Sequence, residues 1–198
     1  MSHTRVITRS GATPSKVIGF IESYPNVVRG YKVIILHLGT NWLSGKLEWG
    51  LYLRMANKEI TKEDYKNEIV SLNPPPANGP AETFREQFQE LIDLIKRLNP
   101  TCKILISSII PRLWDNDRRH LVRQSYNRIL EKFGSQERVS FIRSYQPFFD
   151  NKRRLKAHLF IWDGLHLSNS GAVELRSVFC VSIYKALNDL LYYWLIIV

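Results

Sequence analysis

Apolar positions along the chain follow two alternating rhythms. Thr4–Thr8 is a short β-rich run. Tyr31–Leu38 and Lys103–Ile110 are continuous apolar stretches of the kind buried on both faces of a parallel sheet, and Val139–Ile142 is a further short strand. Between these runs the spacing becomes helical. Gly11-Ala12-Thr13-Pro14 turns into a helix over about Ser15–Ser23, with Pro14 suited to the first turn. Phe84, Phe88, Leu91, Leu94, Ile95 and Leu98 share one helical face, and Asn99-Pro100 ends that helix. Leu121, Tyr126, Ile129, Leu130 and Phe133 mark a helix from about Asp115 to Phe133, and a last helix runs from about Ser170 to Leu187. Thr61 and Asp64 have capping-box character and start a short charged helix.

Strands separated by helices of ten to twenty residues predict βαβ units, and hence an α/β fold with a mostly parallel sheet covered on both faces. The chain reads as a single domain over residues 1–189 with an apolar C-terminal tail at 190–198. Residues 43–80 are the least regular stretch, and the prolines at its end suggest a surface insertion beside the site. The tail is read as a last strand or helix end packed on the core. Its nine residues fall short of the roughly twenty needed to span a bilayer.

Composition narrows the class. A 198-residue chain that is 44% hydrophobic and 12% aromatic can bury a core, which excludes general disorder. Cys102 and Cys180 sit in apolar contexts and read as reduced core residues, and the scattered histidines offer no zinc site. No signal peptide opens the sequence, so the default location is the cytoplasm. The net charge of +10 could steer the protein toward nucleic acid, an anionic membrane or an acidic substrate. Its densest runs, Arg118-Arg119-His120 and Lys152-Arg153-Arg154, are short, and solvated faces are the simpler reading.

Two short motifs carry chemistry. Asp163 and His166 stand three apart on a turn that opens a helix. In that pattern the Asp accepts a proton from one imidazole nitrogen and leaves the other free as a general base. The plainer alternative is a surface histidine with Asp163 as helix cap. Far upstream, Gly39-Thr40-Asn41 lies at the carboxyl end of the Tyr31–Leu38 strand, where ligands gather in open α/β sheets. The Asn41 amide there could donate to an oxyanion, a contribution of about 3 kcal/mol, or could simply cap the next segment.

Together these segments resemble the blocks of the SGNH, or GDSL-type, hydrolases. Gly39 and Asn41 resemble the third block, Trp162–Ala172 around Asp163 and His166 the fifth, Ser10–Thr13 the second, and Ile104–Arg112 the strand before the fourth. The resemblance implies a three-layer α/β/α fold of flavodoxin type and a serine esterase or acyl-ester hydrolase working without cofactor or metal. By the same resemblance His166 is the base, Asp163 its orienting acid, and Asn41, Gly11 and Gly39 form the oxyanion site. The substrate would be a small-molecule or carbohydrate ester, or a lipid.

Two departures stand out. Trp42 occupies the position where the third block usually has Asp, and is a candidate wall of an acyl or sugar pocket. The Gly-Asp-Ser block that carries the nucleophile is missing, and neither Ser2 nor Ser10 is well placed to replace it. The flavodoxin-like order 2-1-3-4-5 puts the strand before that block between Thr4–Thr8 and Tyr31–Leu38. Buried backbone groups left unpaired there would cost about 1–3 kcal/mol each, against a total stability of about 5–15 kcal/mol. The first central strand is therefore expected to be missing, with its neighbours closing up or, as the favoured expectation, the chain being an N-terminally truncated form. An inactive esterase-like domain is expected. The alternatives are a non-catalytic module that binds carbohydrate or an anionic partner, with Trp49 and Tyr52 beside Trp42, and a mobile-element-derived domain associated with nucleic acid.

Overall fold

The computed structural model describes residues 4–7, 11–44, 46–72, 79–187 and 194–197. Five parallel strands form one sheet in the order β1-β5-β2-β3-β4. They are β1 (Thr4–Ile7), β2 (Val33–Leu36), β3 (Lys103–Ser107), β4 (Val139–Ile142) and β5 (Trp194–Ile197). Seven helices connect and cover them: α1 (Pro14–Ser23), α2 (Thr40–Leu43), α3 (Lys46–Ala56), α4 (Lys62–Ser71), α5 (Ala81–Leu98), α6 (Asp117–Phe133) and α7 (Asn169–Leu187).

Period-two alternation along the strands builds the layers. Ile34, Leu36, Ile104 and Ile106 point toward α1, α5 and α6, where they meet Ile21, Phe84, Phe88 and Leu130. Val33, Ile35 and Leu105 point the other way, onto Phe179 and Ile183 of α7. Both faces of β2 are fully covered, which is why its sequence is apolar without interruption. Phe84 and Phe88 are wholly buried, and burial of each such side chain stabilises the fold by about 1.5–3 kcal/mol. The α/β/α architecture expected from the resemblance is the one observed.

The place expected to be vacant beside β2 is filled. β5, from the apolar C-terminal segment, lies between β1 and β2, with Trp194 opposite both Thr4 and Val33 and Ile197 opposite both Ile7 and Leu36. Neither closure of the neighbours nor an open gap is seen. The inner ladders of β1 and β2 find their partners in the last strand of the chain.

Three sequence expectations need correction. The 43–80 stretch, read as the least regular, contributes α3 as well as the expected α4, and the two pack on each other through Leu51, Tyr65 and Ile69. Thr61 and Asp64 do form a capping box at the start of α4. Cys180, read as a core residue, is exposed on α7; Cys102 is buried, and burial pushes its thiol up to about 11. The run Arg118-Arg119-His120, read as solvated, has Arg119 at only 4% exposure, because α6 turns that side chain inward onto a carboxylate of α3.

Candidate active site

The loop between the short turn at Ala157–Leu159 and α7 is held by its own backbone. Ile161 N–H donates to the His166 carbonyl at 2.9 Å, and Leu113 N–H donates to the Gly164 carbonyl at 2.7 Å. Within that loop Asp163 is 2% exposed. Its Oδ1 accepts the N–H groups of Leu165 and His166, both at 2.9 Å, and its Oδ2 lies 2.6 Å from His166 Nδ1. The short Asp-x-x-His spacing thus makes one carboxylate both the cap of the turn and the partner of the imidazole.

Electrostatics follow from those contacts. Burial pushes the Asp163 carboxyl up, but the hydrogen bonds from the His166 ring and the two backbone N–H groups outweigh it and hold the group below the usual carboxylate range. The bond to Asp163 raises the His166 imidazole above the ordinary histidine value, with partial burial opposing. The His166 side chain remains 60% exposed, so its ring is accessible from solvent.

A cleft of about 1150 Å³ opens beside His166, bordered by Gly11, Gly39, Asn41, Trp42, Asp163 and His166 among others. These residues, singled out in the sequence, therefore converge on one cavity from three separate segments. Gly39 enters α2 with φ of +124°, and a Cβ there would lie 2.5 Å from Ile109 Cδ1. Only glycine fits that corner. Asn41 follows on α2 and is exposed, and Gly11 lies in the turn before α1.

Trp42 is 3% exposed. Its ring stacks at a tilt on Phe84, with centroids 5.4 Å apart, and its Nε1 donates to the Tyr126 hydroxyl at 3.4 Å. It anchors the turn to the core while also bordering the cleft. The turn itself is closed by Leu43 N–H to the Gly39 carbonyl and Ser44 N–H to the Thr40 carbonyl, so no carboxylate is needed at position 42 for its hydrogen bonding. Ser2, Ser10 and the Trp49 side chain lie outside the described residues.

The cleft also holds residues that sequence reasoning missed. His37, at the carboxyl end of β2, hydrogen-bonds Ser107 Oγ through Nδ1 at 2.7 Å, and burial lowers its imidazole to about 4. Ser107 in turn bonds Ser144 Oγ at 2.6 Å. Tyr52 of α3, already a candidate in the sequence as a binding aromatic, stands with its ring centroid 6.3 Å from that of His166. Glu48, Arg112, Asp115 and Arg119 line the wall between α3 and α6. A polar His37 inside an otherwise apolar strand was the visible signal for the first of these; the pairing of α3 with α6 had none.

Residues 4–173 match the family described as GDSL-like lipase/acylhydrolase. The chain belongs to that family. Its fold is that of solved family structures, although identities are low. A Bacteroides fragilis protein assigned as an acylhydrolase superposes with a TM-score of 0.57 at 14% identity, over 88% of this chain and 71% of that one. A family 3 carbohydrate esterase from Talaromyces cellulolyticus gives 0.54 at 12% identity, over 92% and 71%. The family 3 carbohydrate esterase of Clostridium thermocellum gives 0.50 at 18%, over 90% and 70%. No curated protein sequence matches the chain. None of these relatives supports a nucleic-acid partner. Among the described residues no helix is long and apolar enough to cross a membrane, and no three His, Cys, Asp or Glu side chains converge as a metal site.

Proposed function

We propose that the cleft binds a carboxylic ester, with His166 as general base, Asp163 as its orienting acid, and Asn41, Gly11 and Gly39 as donors to the oxyanion. The observation that carries this reading is the 2.6 Å bond between His166 Nδ1 and a buried Asp163, on a cavity that the Asn41 turn also borders. Asp163 fixes the tautomer in which Nε2 faces outward as an acceptor. Carbohydrate esters are the favoured substrates, since two of the structural relatives are carbohydrate esterases.

In a complete triad Nε2 would take the proton of a serine hydroxyl as that oxygen attacks the acyl carbon, and would return it to the departing alcohol. The sequence holds no Gly-Asp-Ser block to supply that serine. The proposed state of this chain is therefore a substrate cleft with base, acid and oxyanion donors but little or no ester turnover. A non-catalytic binding module is the second reading, favoured by β5, which fills the sheet position where the family places the strand leading to the nucleophile.

Assay of p-nitrophenyl acetate hydrolysis by the wild type and His166→Ala, alongside binding of an acetylated sugar, tests both readings. The expectation is a rate equal in the two proteins and near background. Steady turnover abolished by His166→Ala would overturn the inactive reading and establish an esterase. Sugar binding that survives the substitution supports the binding module; binding that depends on His166 supports the hydrolytic cleft.

A further inference from the structure

Below the cleft, α6 and the preceding loop gather charge in an enclosed place. Arg112 Nη1 donates to Glu48 Oε2 at 2.7 Å and Arg112 Nε to Asp115 Oδ1 at 2.9 Å. Arg123 Nε reaches Asp115 Oδ2 at 3.4 Å, and Arg123 Nη2 lies 2.6 Å from His120 Nδ1. Arg119 Nη1 stands 2.6 Å from Glu48 Oε1, an ion contact whose direction is not that of a hydrogen bond. The side chains of Arg119, Arg123 and Asp115 are 3%, 4% and 3% exposed.

Three guanidinium groups here face two carboxylates. Arginine stays charged, and a buried charge without a counter-charge is strongly unfavourable. His120 does not restore the balance: burial and the adjacent Arg123 both hold its imidazole down, toward the neutral form, which carries no negative charge. Arg119 Nε and Nη2 are buried and have no hydrogen-bond partner among the described residues. A guanidinium presents five N–H donors in a fixed fork, so the two idle nitrogens on one side, with three N–H between them, define a direction as well as a charge.

A cavity of about 20 Å³ adjoins these groups, lined by Arg112, Asp115, Arg119 and Arg123 with apolar Ile109 and Val122. A space of that size admits one water-sized particle. Thr40, Ile110, Arg112, Asp115 and Arg119 border both this cavity and the large cleft, so the two adjoin. We propose that the cavity is a binding site for one small monovalent anion, a halide such as chloride, held by Arg119 between Arg112 and Arg123. The anion balances the third guanidinium and ties α6 to α3, the two elements that wall the cleft.

The test is thermal unfolding of the full chain at constant ionic strength, with sodium gluconate replaced stepwise by sodium chloride. Gluconate is too large for the cavity. A saturable rise in Tm of about 2–4 °C is expected once chloride exceeds its Kd about fivefold. Arg119→Gln should flatten that response. Crystals soaked in bromide should show anomalous density within hydrogen-bond distance of Arg119 Nε or Nη2. A Tm that ignores chloride together with a bromide-free cavity would overturn the proposal and leave water as the occupant. So would an undiminished halide response in folded Arg119→Gln. Should that variant fail to fold, the bromide position in the wild type decides.

Discussion

Asp163 and His166 show how much one residue pair can fix. Burial alone would raise the carboxyl and lower the imidazole, yet their mutual hydrogen bond reverses both tendencies. The linkage signs follow. His166, raised in the folded state, contributes stability that is fully present below its ordinary value of 6.5 and is lost as pH rises through the folded value. Asp163, lowered in the folded state, contributes above its ordinary value of 3.8 and loses that contribution as pH falls through the folded value. The pair therefore stabilises most between about 3.8 and 6.5. An NMR titration of the His166 ring protons should give a midpoint above that of an ordinary histidine, and Asp163→Asn should bring it down. An unshifted midpoint in the wild type would refute the pairing. His37 behaves in the opposite sense, since burial without a carboxylate partner keeps it neutral.

At the scale of elements, α7 depends on close approach. A Cβ at Gly171 would run into the Leu159 carbonyl oxygen, a contact with backbone that no rotamer change relieves. Leu159 also accepts the Ser168 N–H at 3.0 Å, so the loop carrying the Asp163–His166 pair and the start of α7 are one packed unit. Gly171→Ala should destabilise the protein by about 2–4 kcal/mol, read as a lower midpoint in urea, and should lower the cooperativity of the loop with the core. A near-neutral effect would mean that α7 can shift without disturbing the sheet. The sequence signalled this helix as a last one from about Ser170 to Leu187. It did not signal α3: Gly50 interrupts its apolar pattern, and its inward Glu48 finds its partners on distant Arg112 and Arg119.

For the whole molecule, the decisive feature is the placement of β5. Removing residues 190–198 takes away the partner of both β1 and β2, along the register from Thr4 to Ile7 and from Val33 to Leu36. Several unpaired backbone groups at about 1–3 kcal/mol each are comparable with the stability of a domain. Hydrogen exchange should then show β1 fully deprotected and the inner edge of β2 partly so, while β3 and β4 keep their protection. Full protection of β1 in the deletion variant would mean that β1 and β2 pair directly.

Local pattern determined much of this protein. The types and order of β1 to β4, of α1 and of α4 to α7 follow from apolar period, proline position and capping, because each is set by residues within a few turns of one another; β2 and β3 are shorter than the apolar runs that contain them. The motifs at Gly39-Thr40-Asn41 and Asp163-Gly164-Leu165-His166 were legible for the same reason: each is a turn whose own side chains and backbone complete it. Only the tertiary structure decided what lies far apart in the chain. The burial of Arg119 against Glu48, the use of Trp42 as an anchor on Tyr126, and the insertion of the last strand between the first and second all depend on which surfaces meet. Apolar period tells a strand that it must be covered, but a backbone ladder accepts any strand that fits. The choice of partner therefore belongs to the fold.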